Sequence, residues 1–369
     1  MKLKNFSILI ISPESWGVNF VSKHHYALEL ADLGSEVYFL NPPGKQNKVE
    51  EIRYNLKVIH YQKYLPGINL FPAFIREKIY YLLQKRILGL INKDKLDVVW
   101  SFDPFRFQNR ACFNSSIFIY HPVDVHYTIL ENEIAKNADV IFSTADLVLD
   151  RFKGIPKPKF KINHGLAGHF VNPVGRKPVN VDPHKINIGL VGNLNYRFID
   201  EEILIRIIRK NQQVNFYFIG PYQKSNIITR SRNNDLIQFI SNSQNCILVG
   251  PVENLELPWL LQHFDAFLIC YQGDRYKAEM ANPHKVLEYL STGKVIISHY
   301  IDEYKNQRAL FEMVDDNAEL VNKFSEVIEN LDHYNQEKLV NARKNYAIEN
   351  TYASHVLRIE NILNSLIEC

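Results

Sequence analysis

Asn282-Pro283-His284-Lys285-Val286-Leu287-Glu288-Tyr289-Leu290-Ser291-Thr292-Gly293-Lys294-Val295-Ile296-Ile297-Ser298 combines a helix start, two opposite charges, a helix stop and a following strand. Asn282 is a favoured N-cap, and Pro283 suits the first helical position, where a missing N–H costs nothing. Val286, Leu287 and Leu290 supply the apolar stripe, Lys285 and Glu288 share one face, and Gly293 ends the helix. A helix start that carries a lysine suits a phosphate, and a carboxylate one turn further in can accept two sugar hydroxyls. The combination suggests a nucleotide-sugar pocket. An exposed Lys–Glu pair worth a few tenths of a kcal/mol has the same spacing.

The stretch resembles the donor-binding motif of GT-B glycosyltransferases, particularly the family-4 type (glycosyl transferases group 1). There a Pro-x-Lys-x-x-Glu-Tyr run is followed by a small-residue turn, Gly-Lys and a Val/Ile strand. Pro283, Lys285, Glu288, Tyr289, Gly293 and Lys294 fit. The resemblance implies that Glu288 holds the donor ribose. Members with two motif glutamates carry the first eight residues earlier, where this chain has Met280, with Glu279 one residue out of register. That departure leaves the contact to the donor's sugar ring open.

Working outward, 369 residues suffice for two domains, each with its own core. Hydrophobic residues at 46% and charged residues at 22% describe a globular chain, and a net charge of +3 is too small for wholesale nucleic-acid binding. Cys112, Cys246, Cys270 and Cys369 are scattered, with no C-x-x-C pair. No apolar run reaches the roughly 20 residues of a spanning helix, so a cytoplasmic location is expected.

Short Val/Ile/Phe runs alternate with helical patterns throughout, which favours parallel sheets built from β-α-β units. Residues 169–185, with Pro173, Gly175, Pro178 and Pro183, have no periodicity and read as a linker, after which the series restarts. The expected fold class is α/β, with two doubly wound Rossmann-like domains facing across a cleft, as the GT-B resemblance also implies. The expected domains are 1–170 for the acceptor, a linker at 171–185, 186–350 for the nucleotide sugar, and a helix at 351–369 crossing back.

In open α/β sheets ligands bind beyond the carboxyl ends of the strands. In the second half, Gly192 and Asn193 follow a strand, Arg197 can pair with a diphosphate, and Asp200 caps the next helix. The resemblance implies backbone contacts to the base at Gly250 and Val252. Tyr271 heads the loop that leads to Asn282, Pro283, His284 and Lys285. No Gly-x-Gly-x-x-Gly lies at a strand-helix junction, and no P-loop occurs. No Asp-x-Asp follows a strand, so metal independence is expected, with no cofactor beyond the nucleoside-diphosphate sugar as co-substrate.

In the first half, the resemblance implies that the loop 12–19 lies against the donor sugar and diphosphate, with Gly17 as the contact. Trp16 reads either as a sugar platform or as a buried ring. The strand ending at Tyr120 exits into His121-Pro122-Val123-Asp124, and an earlier strand exits into Asp103. His121, Asp124 and Asp103 are the candidates for chemistry, His121 orienting the transferred sugar or a carboxylate serving as general base. Asp124 as a helix cap and Asp103 as a loop residue are the structural alternatives.

Residues 65–95 intersperse Phe71, Phe74, Tyr80, Tyr81 and Leu82 with Arg76, Lys78, Lys85, Arg86, Lys93 and Lys95. A basic, aromatic helix of this kind can rest on an anionic membrane surface or simply cover a core stripe. The expected function is transfer of a sugar from a nucleoside-diphosphate donor to a glycan or lipid-linked acceptor, with no nucleic-acid partner. A nucleotide-sugar 2-epimerase on the same scaffold and a non-catalytic nucleotide-sugar-binding subunit are the alternatives.

Overall fold

The computed structural model describes residues 2–17, 20–63, 65–175, 180–222 and 234–367, which form two compact units. The first comprises Met1–Gly165 and Tyr352–Cys369. Its strands are β1 (Ser7–Ile11), β2 (Glu36–Leu40), β3 (Lys48–Arg53), β4 (Leu56–His60), β5 (Val98–Ser101), β6 (Ile117–Tyr120), β7 (Val140–Ser143) and β8 (Lys159–Lys161). They lie in the order β3-β4-β2-β1-β5-β6-β7-β8, parallel at every pairing except β3–β4. Helices α1 (Ser22–Leu33), α2 (Ala73–Leu90), α3 (Ile129–Asn137) and α4 (Asp146–Leu149) fall between strands. β1, β5, β6 and β7 are buried at every position, as continuous apolar runs must be in a sheet covered on both faces. β3 gives no apolar signal, because Lys48, Glu50 and Glu51 face solvent on a charged sheet edge that resists pairing with another chain.

The second unit, Leu166–Thr351, begins with α5 (Gly168–Val171). The segment expected as a linker, residues 171–185, falls within this unit, and its residues 176–179 lie outside the described residues. Then follow β9 (Asn187–Val191), α6 (Glu201–Lys210), β10 (Asn215–Ile219), α7 (Asn234–Asn242), β11 (Cys246–Gly250), α8 (Leu257–Leu261) and β12 (Ala266–Ile269). The unit ends with α9 (Lys285–Thr292), β13 (Val295–Ser298), β14 (Glu312–Met313), α10 (Leu320–Glu329), α11 (Leu331–Tyr334) and α12 (Glu337–Glu349). The strand order β11-β10-β9-β12-β13-β14 is parallel throughout. Asp200 caps α6 as its sequence suggests, accepting the Ile203 N–H at 3.2 Å.

One boundary differs from expectation. The helix expected from Asn282 begins at Lys285. The Val286 N–H donates to Pro283 O at 3.1 Å, so the entry is a tight turn and His284, not Asn282, occupies the cap position. The helical stretch 337–367 is broken at Asn350–Thr351, and its second part, α13 (Tyr352–Ile367), belongs to the first unit.

Candidate functional site

In the second unit β9 has β10 on one side and β12 on the other, so the strand order reverses at β9. This is the switch point at which ligands bind in open α/β sheets. Gly192 leaves β9, Tyr271 follows β12, and Lys285 opens α9. The structure brings these three together. Lys285 Nζ donates to Val191 O at 2.5 Å and to the Tyr271 hydroxyl, 4.9 Å from the Tyr271 ring centroid. The Val191 N–H donates to the Tyr289 hydroxyl at 2.7 Å, and the Tyr289 ring stacks on Phe267 at 4.1 Å. Both polar groups of one peptide residue are therefore held by side chains of α9.

Glycine at 192 is a geometric need: φ is 150°, and a Cβ there would lie 2.8 Å from Lys285 Nζ. Gly220, at φ 136°, passes closer still, since its Cβ would meet Gly192 O at 2.2 Å. A cavity of about 40 Å³ bordered by Gly192, Cys270, Tyr271 and Lys285 has room for water, so a larger anion would sit above the strand ends.

Glu288, one turn into α9, is buried, and one carboxylate oxygen lies 2.8 Å from His284 Nε2. Burial disfavours charge on His284, but the Glu288 carboxylate outweighs it and raises the imidazole above its usual 6.5. His169 of α5 feels the same carboxylate, although burial holds it below its usual value. A carboxylate has lone pairs for two hydroxyls beyond the His284 contact. At the far end of the helix, Arg343 Nη1 donates to Gly293 O at 3.0 Å.

The remaining residues expected here are more loosely tied. Asn193 is exposed and accepts the Asn195 N–H at 2.9 Å, forming a turn. Arg197 is exposed, with its guanidinium 4.5 Å from the Phe198 ring centroid. Gly250 ends β11, and Val252 is half-buried beyond it. Asn282 and Pro283, half-buried, lead into α9. Sequence reasoning assigned no role to Tyr289, although it stands in the motif. It also missed His299, just past β13, whose Nδ1 lies 3.2 Å from Ile269 O and whose burial lowers it to about 4. Asn317, whose Nδ2 donates to Tyr271 O at 2.7 Å, gave no sequence signal.

In the first unit two of the candidates are buried. His121 is 1% exposed, enclosed by Tyr26, Trp100, Phe102 and Phe142, and burial pushes it down to about 3. Its N–H continues the sheet ladder to Ser101 O at 2.8 Å. Asp103 is buried as well. It accepts the Phe105 N–H at 2.8 Å and Arg106 Nε at 2.6 Å. Arg106 ties this turn to Ser12 O at 2.5 Å and to Asn41 O and the Tyr61 hydroxyl, each at 2.9 Å. Asp103 is thus the counter-ion of a buried arginine.

Asp124 is exposed and does not cap α3, whose cap is Thr128. Gly17 stands at φ 88° with open space around it. Trp16 is half-buried, its ring packed against Phe20 and Phe39. Among the described residues, no group of three or more His, Cys, Asp or Glu could hold a metal ion.

No family model matches the sequence, and no curated protein matches it. Solved structures match over almost the whole length. Sucrose-phosphate synthase from Thermosynechococcus elongatus superposes with a TM-score of 0.75 at 13% identity, covering 98% of this chain and 99% of its own. A UDP-forming α,α-trehalose-phosphate synthase from Burkholderia xenovorans gives 0.67 at 11% identity, covering 98% of each chain. Anabaena HepE, solved with UDP and glucose, gives 0.64 at 12%, covering 98% and 100%.

The fold is GT-B. At these identities the likeness is one of architecture. The GT-B scaffold places the Gly192, Tyr271 and Lys285 cluster at the strand ends of its second Rossmann-like sheet.

Proposed function

We propose that the chain is a glycosyltransferase that moves a sugar from a nucleoside-diphosphate donor to a glycan or lipid-linked acceptor in cell-surface polysaccharide synthesis. The observation that carries this reading is Lys285 at the switch point, beside the positive-φ Gly192, with Glu288 one turn further along the same helix. In this reading the donor diphosphate lies on the start of α9, where Lys285 and the helix N–H groups offset the charge developing on the leaving group. Glu288 accepts the ribose hydroxyls. The reaction proceeds with retention and without a metal, the departing phosphate taking the acceptor proton. An inverting reaction would instead need a general base, for which Asp124 is the exposed carboxylate of the three candidates. The protein acts at the inner face of the cytoplasmic membrane.

Thermal unfolding with UDP, GDP, ADP, TDP and CMP in turn tests the donor site; the co-crystallised UDP of HepE makes UDP the first choice. Ligand at 100 times its dissociation constant adds about 2.7 kcal/mol, a clear rise in melting temperature. The expected result is a rise with one nucleotide that Glu288→Ala abolishes. No rise with any of them removes the donor site and leaves a non-catalytic partner that binds only another transferase subunit, a reading that fits Met280 in place of the first motif glutamate.

A further inference from the structure

The helix α2 has one face that its own unit does not use. Arg76, Tyr80, Leu83, Gln84, Ile87 and Leu88 are buried, and Arg76 is paired with Glu133. Lys93 beyond the helix is likewise engaged, 2.7 Å from Glu36. These residues therefore leave the basic, aromatic pattern that the sequence suggested. What remains exposed is Phe74, Lys78, Tyr81, Leu82 and Lys85, at helical spacings that place them on one stripe, with Glu77 the acid among them.

Phe74 is 64% exposed and Leu82 55%, and ahead of the helix Leu70 reaches 91% while its neighbour Ile68 is buried in the core. An aromatic and aliphatic ridge this exposed is not a chance scatter of single surface residues. Its lysines lie along it: the Lys85 ammonium sits over the Tyr81 ring, with Nζ 4.6 Å from the centroid. Among the described residues, no helix is long and apolar enough to cross a membrane.

We infer that this face of α2, with Leu70 and Phe71 at its leading end, docks on an anionic lipid surface, its rings and aliphatic side chains entering the headgroup layer while Lys78 and Lys85 meet lipid phosphates. The charge decides for lipid over a protein partner. Lysine is depleted at protein interfaces, whereas aromatic residues flanked by lysine match the membrane boundary. Presentation of a lipid-linked acceptor by this docking rests on the transfer reading above; the docking itself does not.

Co-sedimentation of the full chain with vesicles of pure phosphatidylglycerol and of pure phosphatidylcholine tests it. The wild type is expected to bind the anionic vesicles and to release them in high salt. Lys78→Gln with Lys85→Gln should weaken binding about fivefold per lysine, and Phe74→Ser with Leu82→Ser on the order of tenfold or more. All four positions are exposed, and unchanged melting temperatures establish that the variants fold. The inference is overturned if the wild type ignores phosphatidylglycerol, if the variants bind as it does, or if the serine variant instead converts a dimer to a monomer. The nucleotide-induced rise in melting temperature, measured on the same samples, reports separately on the donor site.

Discussion

Lys285 and Tyr289 hold the same residue from opposite ends: Lys285 Nζ donates to Val191 O at 2.5 Å, and the Tyr289 hydroxyl accepts the Val191 N–H at 2.7 Å. The start of α9 is thereby locked to the end of β9, and the ammonium is fixed beside Gly192. Tyr289→Phe leaves a buried N–H without its acceptor and should cost about 1–3 kcal/mol in urea unfolding, while changing nucleotide affinity only a few-fold. Lys285→Met should cost a similar amount of stability and, by removing the charge, weaken nucleotide binding at least about tenfold. Equal loss of affinity in both variants would show that Lys285 acts by anchoring Val191 alone.

The two aspartates of the first unit should separate cleanly. Asp103→Asn strips the buried Arg106 of its counter-ion and is expected to destabilise by about 3–5 kcal/mol. Asp124→Asn should leave the melting temperature unchanged and, for a retaining reaction, keep kcat within about tenfold of wild type. A fall of about 10²–10⁴ in kcat would identify Asp124 as the general base of an inverting enzyme.

Glycine substitutions at the strand ends should rank by what the new methyl meets. At Gly192 it meets the far end of a flexible lysine, but at Gly220 it meets the carbonyl of Gly192, 2.2 Å away. Gly220→Ala should therefore be the more destabilising, with each carrying about 1–3 kcal/mol of positive-φ strain besides. The order of melting temperatures checks this.

Acid should act on the two units unequally. Burial lowers His24 and His355 to about 4 and His121 to about 3, all in the first unit, while His299 at about 4 lies in the second. A histidine lowered by folding takes up its proton on unfolding. Its contribution is complete above about pH 6.5 and falls at about 1.4 kcal/mol per pH unit as pH drops toward the folded value. Hydrogen exchange between pH 6.5 and about 4 should show the first unit opening first. His284 has the opposite sign. Raised by Glu288, it stabilises fully below about pH 6.5 and loses its contribution as pH rises through its folded value, a slope that His284→Gln should remove.

The strands whose faces are both covered were legible because burial demands the same residue class at every position, as in Ser7–Ile11. β3 was not, since an edge strand is selected for charge. The α9 stretch was readable because its lysine, glutamate and glycine lie within one helix. The lock on Val191, which is 94 residues from Lys285, is not a local property. The surroundings of Asp103 and His121 are only partly local: Arg106, three residues from Asp103, is held by Ser12 and Asn41, and the His121 ring packs on Tyr26 of α1.

The first unit includes α13, whose Tyr352 hydroxyl donates to Ser22 at 3.0 Å and whose Glu360 accepts the N–H of Leu3 at 2.5 Å. A ribosome making this chain therefore releases the whole of the second unit before the last helix of the first emerges. Vectorial synthesis usually lets N-terminal domains finish first. Here Ser22 and the start of α1 stay uncovered while the second unit matures. Nascent chains stalled before Tyr352 should offer a chaperone the apolar side of α1 that the completed protein hides.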